Sequence, residues 1–142
     1  VEAVYFYGAG CGGTFPEATE KMVRELRAHF GAGHIEAQTD LLGAARALFG
    51  RGEGVACILG TGSNSCWCRG GEIVENVPPL GYVLGDEGSG GYLGKQLISA
   101  FIRGKMPEKA RRLTAAALGR TGDELIDCIY TQPFPNRCAA RG

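Results

Sequence analysis

Strand and helix patterns alternate along the first fifty residues. Residues 1–7 (V-E-A-V-Y-F-Y) are mostly β-branched or aromatic and end at a glycine, which predicts a buried strand. A capping-box sequence at Thr14 and Glu17, with Pro16 between them, predicts the start of a helix. Apolar residues at every fourth position continue this helix, and Gly31 is placed to end it.

The same pair of elements follows directly. Residues 34–39 predict a short strand, and Asp40 comes after it at a helix N-cap position. Residues 41–49 predict a helix that Gly50 closes. Two consecutive strand–helix units are typical of a parallel sheet covered by helices.

The pattern changes after Gly54. Short apolar runs at residues 55–59, 65–69 and 72–77 are separated by glycine turns, which predicts an antiparallel meander of three strands. Helical spacing returns near Gly90. The predicted helices are one that starts near Gly90, one over residues 107–118, and one that Thr121 and Glu124 cap and that Pro133 and Pro135 stop.

Two parts of different pattern therefore meet near residue 51. We predict that residues 1–51 and 52–142 belong to two α/β domains. A core strand at residue 1 and a sheet of only two parallel strands would leave edges and faces uncovered. We accordingly expect the chain to be a central fragment of a longer protein.

Composition excludes some classes of partner. Fifteen basic and fifteen acidic side chains give a net charge of zero, so bulk charge favours neither nucleic acid nor an anionic membrane. No apolar run approaches the roughly 20 residues that cross a bilayer, and we expect a cytoplasmic protein. The 24 glycines are more than twice the usual share and predict many tight turns and close backbone approaches.

The six cysteines predict thiols rather than a disulfide scaffold. The chain has ordinary globular composition, with 44% apolar residues, and no signal sequence is evident. Cys66 and Cys68 lie two apart, and C-x-C without a nearby partner pair is a poor zinc signature. We expect reduced and mostly buried thiols.

Candidate chemistry concentrates in two glycine-rich segments, here called the glycine turn (residues 60–65, G-T-G-S-N-S) and the acidic turn (residues 85–91, G-D-E-G-S-G-G). The glycine turn fits a plain hairpin. It also fits a phosphate cradle, because backbone N–H groups that point outward from such a turn bind anions, and its hydroxyls and amide exceed the needs of a hairpin. Both interpretations stay open.

The carboxylates allow structural and functional interpretations. Asp40 fits a helix N-cap, and it also fits a general base, because it follows a strand at the sheet edge where α/β proteins bind ligands. Asp86 and Glu87 precede a predicted helix and would favour its dipole, and they would equally bind sugar hydroxyls or hydrated Mg²⁺.

Three motifs taken in order resemble one known family. They are T-D-x-x-G-A at residues 39–44, G-T-G-S-N at residues 60–64 and G-Y-x-x-G-D-E-G-S-G at residues 81–90. They resemble the N-acetylglucosamine kinase and BadF-BadG-BcrA-BcrD ATPase family of the actin-like sugar kinase superfamily. The run I-Y-x-x-P-F-P-N-R at residues 129–137 resembles a bacterial branch of it.

The resemblance implies an α/β fold made of parts of two ribonuclease-H-like (actin-like ATPase) domains, with mixed sheets and flanking helices. Residues 1–51 would be the C-terminal part of the first domain, and residues 52–142 the N-terminal part of the second. ATP and a sugar would bind between the domains, and Mg²⁺ would bridge the phosphates without a metal ligand from this chain.

The resemblance also implies roles for individual residues. Asp40 matches the catalytic base that takes the proton of the sugar 6-hydroxyl. The residues that match ATP contacts are Gly60, Thr61 and Gly62. Those that match sugar contacts are Ser63, Asn64, Gly81 and Asp86.

The chain departs from the family pattern at two places. Where animal N-acetylglucosamine kinases carry a Gly/Trp-rich sugar contact, this chain has P-P-L-G at residues 78–81, so only Gly81 carries over. The first phosphate motif (D-G-G-x-x-T) and the later adenosine motif do not occur in residues 1–142. We expect that this chain alone does not turn over ATP.

The main hypothesis is ATP-dependent phosphorylation of an amino sugar, N-acetylglucosamine at its 6-hydroxyl. One alternative is a BadF-like ATPase that activates a CoA-ester dehydratase or reductase, although the run N-S-C-W-C lacks the motif associated with activators. Another is a non-catalytic sugar- or nucleotide-binding module. The expected partners are a small sugar and ATP, with no nucleic acid or membrane, and a homodimer stays open.

Overall fold

The structure is a computed structural model that describes residues 1–131 and 133. In these residues it is an α/β protein with two small sheets and six helices. The strands are β1 (Ala3–Tyr7), β2 (His34–Gln38), β3 (Glu53–Leu59), β4 (Ser63–Arg69) and β5 (Glu72–Val77). The helices are α1 (Pro16–Phe30), α2 (Asp40–Phe49), α3 (Gly81–Leu84), α4 (Gly90–Ile102), α5 (Glu108–Leu118) and α6 (Gly122–Thr131).

The two sheets have the predicted topology. Strands β1 and β2 are parallel, with Ala3 opposite His34 and Tyr7 opposite Gln38. Strands β3, β4 and β5 lie in that order as a meander, and β4 pairs with β5 in antiparallel register with an irregularity between Trp67 and Cys68. The predicted strands are confirmed, with ends that differ by one or two residues.

The predicted capping box of α1 is wrong. Helix α1 begins at Pro16, so Phe15 occupies the N-cap position, and no side chain caps this helix. The proline is confirmed in the first turn. The hydroxyl oxygen of Thr19, inside the helix, instead accepts a hydrogen bond from the Gly12 N–H at 2.8 Å. The loop before the helix folds back onto Thr19, which leaves Thr14 outside the helix.

Contacts between Cα atoms divide the chain into two units. Unit 1 comprises Val1–Ile58 and Asn64–Val77, and unit 2 comprises Leu59–Ser63 and the residues from Pro78 onward. The predicted division into residues 1–51 and 52–142 refers to the domains of a larger fold and stays a prediction.

The core of unit 1 packs helix α2 on the meander. Leu41 and Ala45 of α2 contact Ala56, Cys66 and Cys68, and each of these five side chains is at most 2% exposed. Burial raises the pKa of the Cys66 thiol. The thiols of Cys11, Cys66 and Cys68 are therefore buried as expected, whereas Cys57 is an exposed thiol, and Cys138 lies outside the described residues.

Arg46 joins α2 to both sheets of unit 1. Its guanidinium donates to the Tyr7 hydroxyl (2.8 Å) and to a Glu36 carboxylate oxygen (2.7 Å) on one side. On the other side it donates to the Gly71 carbonyl (2.9 Å) and to Glu72 (2.7 Å). The hydrogen bond to Glu36 is the largest cause of the raised pKa of Arg46. One cation therefore fixes the position of α2.

From Pro78 onward, the described residues of unit 2 form the helices α3, α4, α5 and α6 with connecting loops. Ile98 of α4 packs on Leu125 of α6, and both side chains are 4% exposed. The predicted capping box of α6 is confirmed, because the Thr121 N–H donates to Glu124 at 2.7 Å and the Glu124 N–H donates to the Thr121 hydroxyl at 3.3 Å.

Helix α6 ends at Thr131, before Pro133, whereas Pro135 and the rest of the motif over residues 134–137 lie outside the described residues. Helix α3 was not predicted, because four residues are too few to show a helical period. None of the described helices is both long enough and apolar enough to span a bilayer.

We predict that Arg46→Met destabilises the protein by about 2–3 kcal/mol, because it leaves the half-buried Glu36 carboxylate without its cation. The control is Arg111→Met, which breaks the ion pair with Glu108 on the exposed surface of α5 and should change the stability much less. Urea unfolding followed by circular dichroism measures both changes, and equal costs would contradict the structural role of Arg46.

Candidate functional site

The glycine turn joins β3 to β4, so the hairpin interpretation is correct in its geometry. The turn closes on itself through a hydrogen bond from the Gly60 N–H to the Gly62 carbonyl at 2.9 Å. The Ser63 N–H donates to a carboxylate oxygen of Asp86 at 3.1 Å. These groups belong to unit 2, and the turn is held by the residues that follow α3.

The first turn of α4 is bound to the carbonyl side of the glycine turn. The Gly90 N–H donates to the Gly60 carbonyl at 2.8 Å, and the Gly91 N–H donates to the Thr61 carbonyl at 3.3 Å. A Cβ atom at Gly91 would lie only 2.9 Å from that Thr61 carbonyl oxygen. Glycine at this position therefore allows the helix to approach the turn.

The amide side of the glycine turn remains available. In the part of the chain that the structure describes, the N–H groups of Thr61 and Gly62 have no hydrogen-bond acceptor. The first N–H groups of α4 are bound to the turn, so the free donors here belong to the turn and not to the helix terminus. Two adjacent free amides are the feature that the phosphate-cradle interpretation requires.

The carboxylate of Asp86 binds the glycine turn. Among the described residues Asp86 is the only non-glycine with a positive φ, at 62°, a conformation that costs roughly 1–2 kcal/mol. A Cβ atom at Gly62 would lie 3.0 Å from both carboxylate oxygens of Asp86, so this carboxylate lies directly against the turn. One Asp86 oxygen accepts a hydrogen bond from a turn amide, and the second oxygen accepts no bond from the described residues. The interaction of this carboxylate with the helix dipole stays a prediction.

Ser89 connects Asp86 to α4. Its side chain is fully buried, and its hydroxyl oxygen caps α4 by accepting from the Tyr92 N–H at 3.0 Å. Its own N–H donates to the Asp86 carbonyl at 3.0 Å. Backbone position is therefore fixed from Asp86 through the start of α4.

Gly81 precedes the acidic turn, and Glu87 lies within it. Gly81 begins α3 with φ at 70°, and its carbonyl accepts from the Gly85 N–H at 2.8 Å. The carboxylate of Glu87 is exposed. The predicted contact of Gly81 with a sugar stays a prediction.

Asp40 lies in unit 1, at the start of α2. The predicted N-cap position is off by one residue, because Thr39 occupies the N-cap and Asp40 is the first helical residue. One oxygen of its half-buried carboxylate accepts from the Leu41 N–H at 2.9 Å and from the Thr39 hydroxyl at 3.1 Å. The other oxygen accepts no hydrogen bond within the described residues, so it is free to act on a ligand.

Asn64 is also in unit 1, at the second position of β4. Its carbonyl oxygen accepts from the Ser65 N–H at 2.9 Å and from the Asn76 amide at 2.8 Å. The structure describes Asp40 and Asn64 in one unit and residues 60–63, Gly81 and Asp86 in the other.

A solved structure resembles this chain along almost its whole length. It is the crystal structure of a putative N-acetylglucosamine kinase from Porphyromonas gingivalis, which is 48% identical over 99% of this chain with a TM-score of 0.88. This similarity confirms the predicted resemblance to the N-acetylglucosamine kinase family. It spans 49% of the P. gingivalis protein, about half of its length. No protein-family model matches the chain, and no curated protein matches it.

Sequence reasoning missed several residues that hold the candidate site in place. Ser89 had a usable signal, because a serine before a helical pattern is a common N-cap. Gly91 and Asn76 had none, since their importance comes from groups distant in the sequence.

We predict that Gly91→Ala destabilises unit 2 by about 1–3 kcal/mol, because the new methyl group would contact the Thr61 carbonyl. Helix propensity alone would favour alanine, so the sign of the change reports the contact. Gly60→Ala, in the glycine turn, is the control, because the nearest atom would lie 4.0 Å from its Cβ. Urea unfolding measures both, and stabilisation by Gly91→Ala would contradict the docking of α4.

Proposed function

We propose that this chain is the part of an ATP-dependent sugar kinase that binds phosphate groups and the sugar acceptor. The substrate that we propose is an amino sugar, N-acetylglucosamine, phosphorylated at its 6-hydroxyl. The wider fold would be two ribonuclease-H-like domains of the actin-like type, in a cytoplasmic protein. The similarity to the putative N-acetylglucosamine kinase of P. gingivalis supports this substrate.

The observation that carries the proposal is the pair of free amides at Thr61 and Gly62. A phosphate needs several convergent donors, and adjacent N–H groups of a fixed turn supply them without the entropy cost of ordering long side chains. The turn is fixed on its opposite side by α4 and by Asp86. Rigid positioning of this kind is the main requirement of phosphoryl transfer.

Asp40 is the proposed general base. A base needs one accessible oxygen and a fixed orientation, and both are present. Hydrogen bonds from Leu41 and Thr39 hold one oxygen, which leaves the second free to accept the hydroxyl proton of the sugar. The burial of Leu41, which is 1% exposed, anchors the first turn of the helix that carries Asp40.

The proposed sugar contacts are Ser63, Asn64, Gly81 and Asp86. Hydroxyl, carboxamide and carboxylate groups are the usual partners of sugar hydroxyls. The unengaged oxygen of Asp86 and the amide nitrogen of Asn64 supply an acceptor and a donor.

ATP and Mg²⁺ are the proposed cofactors. The free turn amides fit a nucleotide phosphate. Within the described residues no group of three or more His, Cys, Asp or Glu side chains is arranged to hold a metal ion. Mg²⁺ commonly keeps most of its waters and binds through phosphate oxygens, so it would arrive with the nucleotide and neutralise phosphate charge.

Amide resonances test the phosphate site directly. Titration of the ¹⁵N-labelled chain with magnesium ATP, and separately with inorganic tripolyphosphate, should move the ¹H and ¹⁵N resonances of Thr61 and Gly62. The amides of Gly90 and Gly91 are already bound to carbonyls and serve as internal controls that move much less. Shifts confined to the control amides, or no shift at millimolar ligand, would reject the cradle.

Asp40→Asn tests the base in the protein at its full natural length. We expect kcat to fall by about 10²–10⁴ with little change in KM for the sugar, because asparagine keeps the hydrogen bonds but does not accept the proton. Asp123→Asn makes the same change in the first turn of α6 and should leave kcat unchanged. Steady-state assays with N-acetylglucosamine measure both, and an unchanged kcat for Asp40→Asn would remove Asp40 from the mechanism.

A further inference from the structure

The carboxamide of Asn64 is held by a partner on the next strand. Its carbonyl oxygen accepts from the Ser65 N–H at 2.9 Å and from the amide nitrogen of Asn76 at 2.8 Å. The same Asn76 nitrogen also donates to the Ser65 carbonyl at 2.8 Å. All three residues belong to unit 1.

The main chain of Ser65 fixes the direction of both carboxamides. A backbone N–H only donates and a backbone carbonyl only accepts. The Ser65 N–H therefore requires the oxygen of Asn64 beside it, and the Ser65 carbonyl requires the nitrogen of Asn76. Because that nitrogen has two hydrogens, it also donates to the Asn64 oxygen and completes the arrangement.

One consequence is that Asn64 offers a ligand only donors. Its oxygen is occupied twice, while its nitrogen has no acceptor within the described residues. A group that it recognises must then be an acceptor, such as the carbonyl oxygen of an acetamido substituent or a hydroxyl oxygen. An ammonium group, which is only a donor, would be rejected at this position.

We propose that Asn76 is a positioning residue that sets the orientation of Asn64, so that Asn64 presents its N–H groups to an acceptor on the sugar, with an acetamido carbonyl as the best fit. The ligand part of this statement rests on the proposed sugar kinase function. A purely structural role, in which Asn76 only joins β4 to β5, predicts different results for the variants below.

Substitutions at Asn64 and Asn76, with a control at Glu75, separate these roles. Asn64→Asp keeps an oxygen for Ser65 and Asn76 but replaces the free donors with an acceptor. Asn76→Ala removes the group that orients Asn64. Glu75→Ala, at the exposed neighbouring position of β5, controls for general effects on the strand.

The orientation is measured without a ligand, by solvent exchange of side-chain NH₂ protons in the ¹⁵N-labelled chain. We expect slow exchange for Asn76, whose two protons are bound, and fast exchange for Asn64. In Asn76→Asp the new carboxylate should attract the Asn64 NH₂ group and slow its exchange. Equally slow exchange of both NH₂ groups in the wild-type chain would overturn the proposed orientation.

Calorimetry with N-acetylglucosamine and with glucosamine tests the ligand class. We expect Asn64→Asp to weaken binding of N-acetylglucosamine about tenfold while the melting temperature stays unchanged. Asn76→Ala should weaken it about three- to tenfold in the wild-type background and have no further effect in an Asn64→Ala background. Glu75→Ala should bind as the wild type does.

The results distinguish the orientation of Asn64 by Asn76 from the binding of a sugar. Unchanged binding of N-acetylglucosamine by Asn64→Asp, or additive losses in the double variant, would overturn the positioning role. A wild-type chain that shows the expected exchange pattern but binds neither sugar would overturn the sugar assignment and the proposed function, while the orientation of Asn64 by Asn76 would stand.

Discussion

The candidate site depends on the contact between the first turn of α4 and the carbonyls of the glycine turn. The Gly90 and Gly91 amides bind the Gly60 and Thr61 carbonyls, which turns the opposite, amide-bearing side of the peptide units outward. A peptide unit has its N–H and C=O on opposite sides, so a bond on one side decides what the other side presents. The contact requires glycine at position 91, because any side chain would meet the Thr61 carbonyl. Asp86 completes it at a cost in backbone strain, which is often found where a site demands a fixed geometry.

The same principle applies to the groups of unit 1. Asp40 is bound through one oxygen and Asn64 through its carbonyl, and each leaves a chemically different group open. Arg46 and the buried Leu41 hold the helix that carries Asp40, whereas Asn76 holds the carboxamide of Asn64. Polar groups that use only part of their hydrogen-bonding capacity within the protein are pre-organised for a ligand. Their orientation is set before binding, so little entropy is lost on binding. The unoccupied groups of unit 1 are a carboxylate oxygen and carboxamide donors, and those of unit 2 are backbone amide donors and a carboxylate oxygen. Groups of these kinds suit phosphates and sugars.

Much of the secondary structure followed from local rules. The parallel pair β1 and β2, the meander, and the glycine ends of α1 and α2 were all indicated by apolar period and by glycine placement. The capping box at Thr121 and Glu124 formed, and the one at Thr14 and Glu17 did not. Both have the T-x-x-E spacing, but the loop before α1 folds back onto Thr19. A local motif therefore failed where a more distant contact supplied a better partner.

The sequence by itself determined the order of the elements, the positions of the two glycine-rich turns and the resemblance to a family, because periodicity, glycine spacing and motif order are properties of the chain alone. Only the tertiary structure decided which atoms of the candidate site are occupied and which are free. The free amides at Thr61 and Gly62, the strained Asp86 and the orientation of Asn64 by Asn76 each depend on a partner up to 30 residues away in the chain. Hydrogen bonding is directional and each group has few bonding sites, so the availability of a group is settled only when its neighbours are in place.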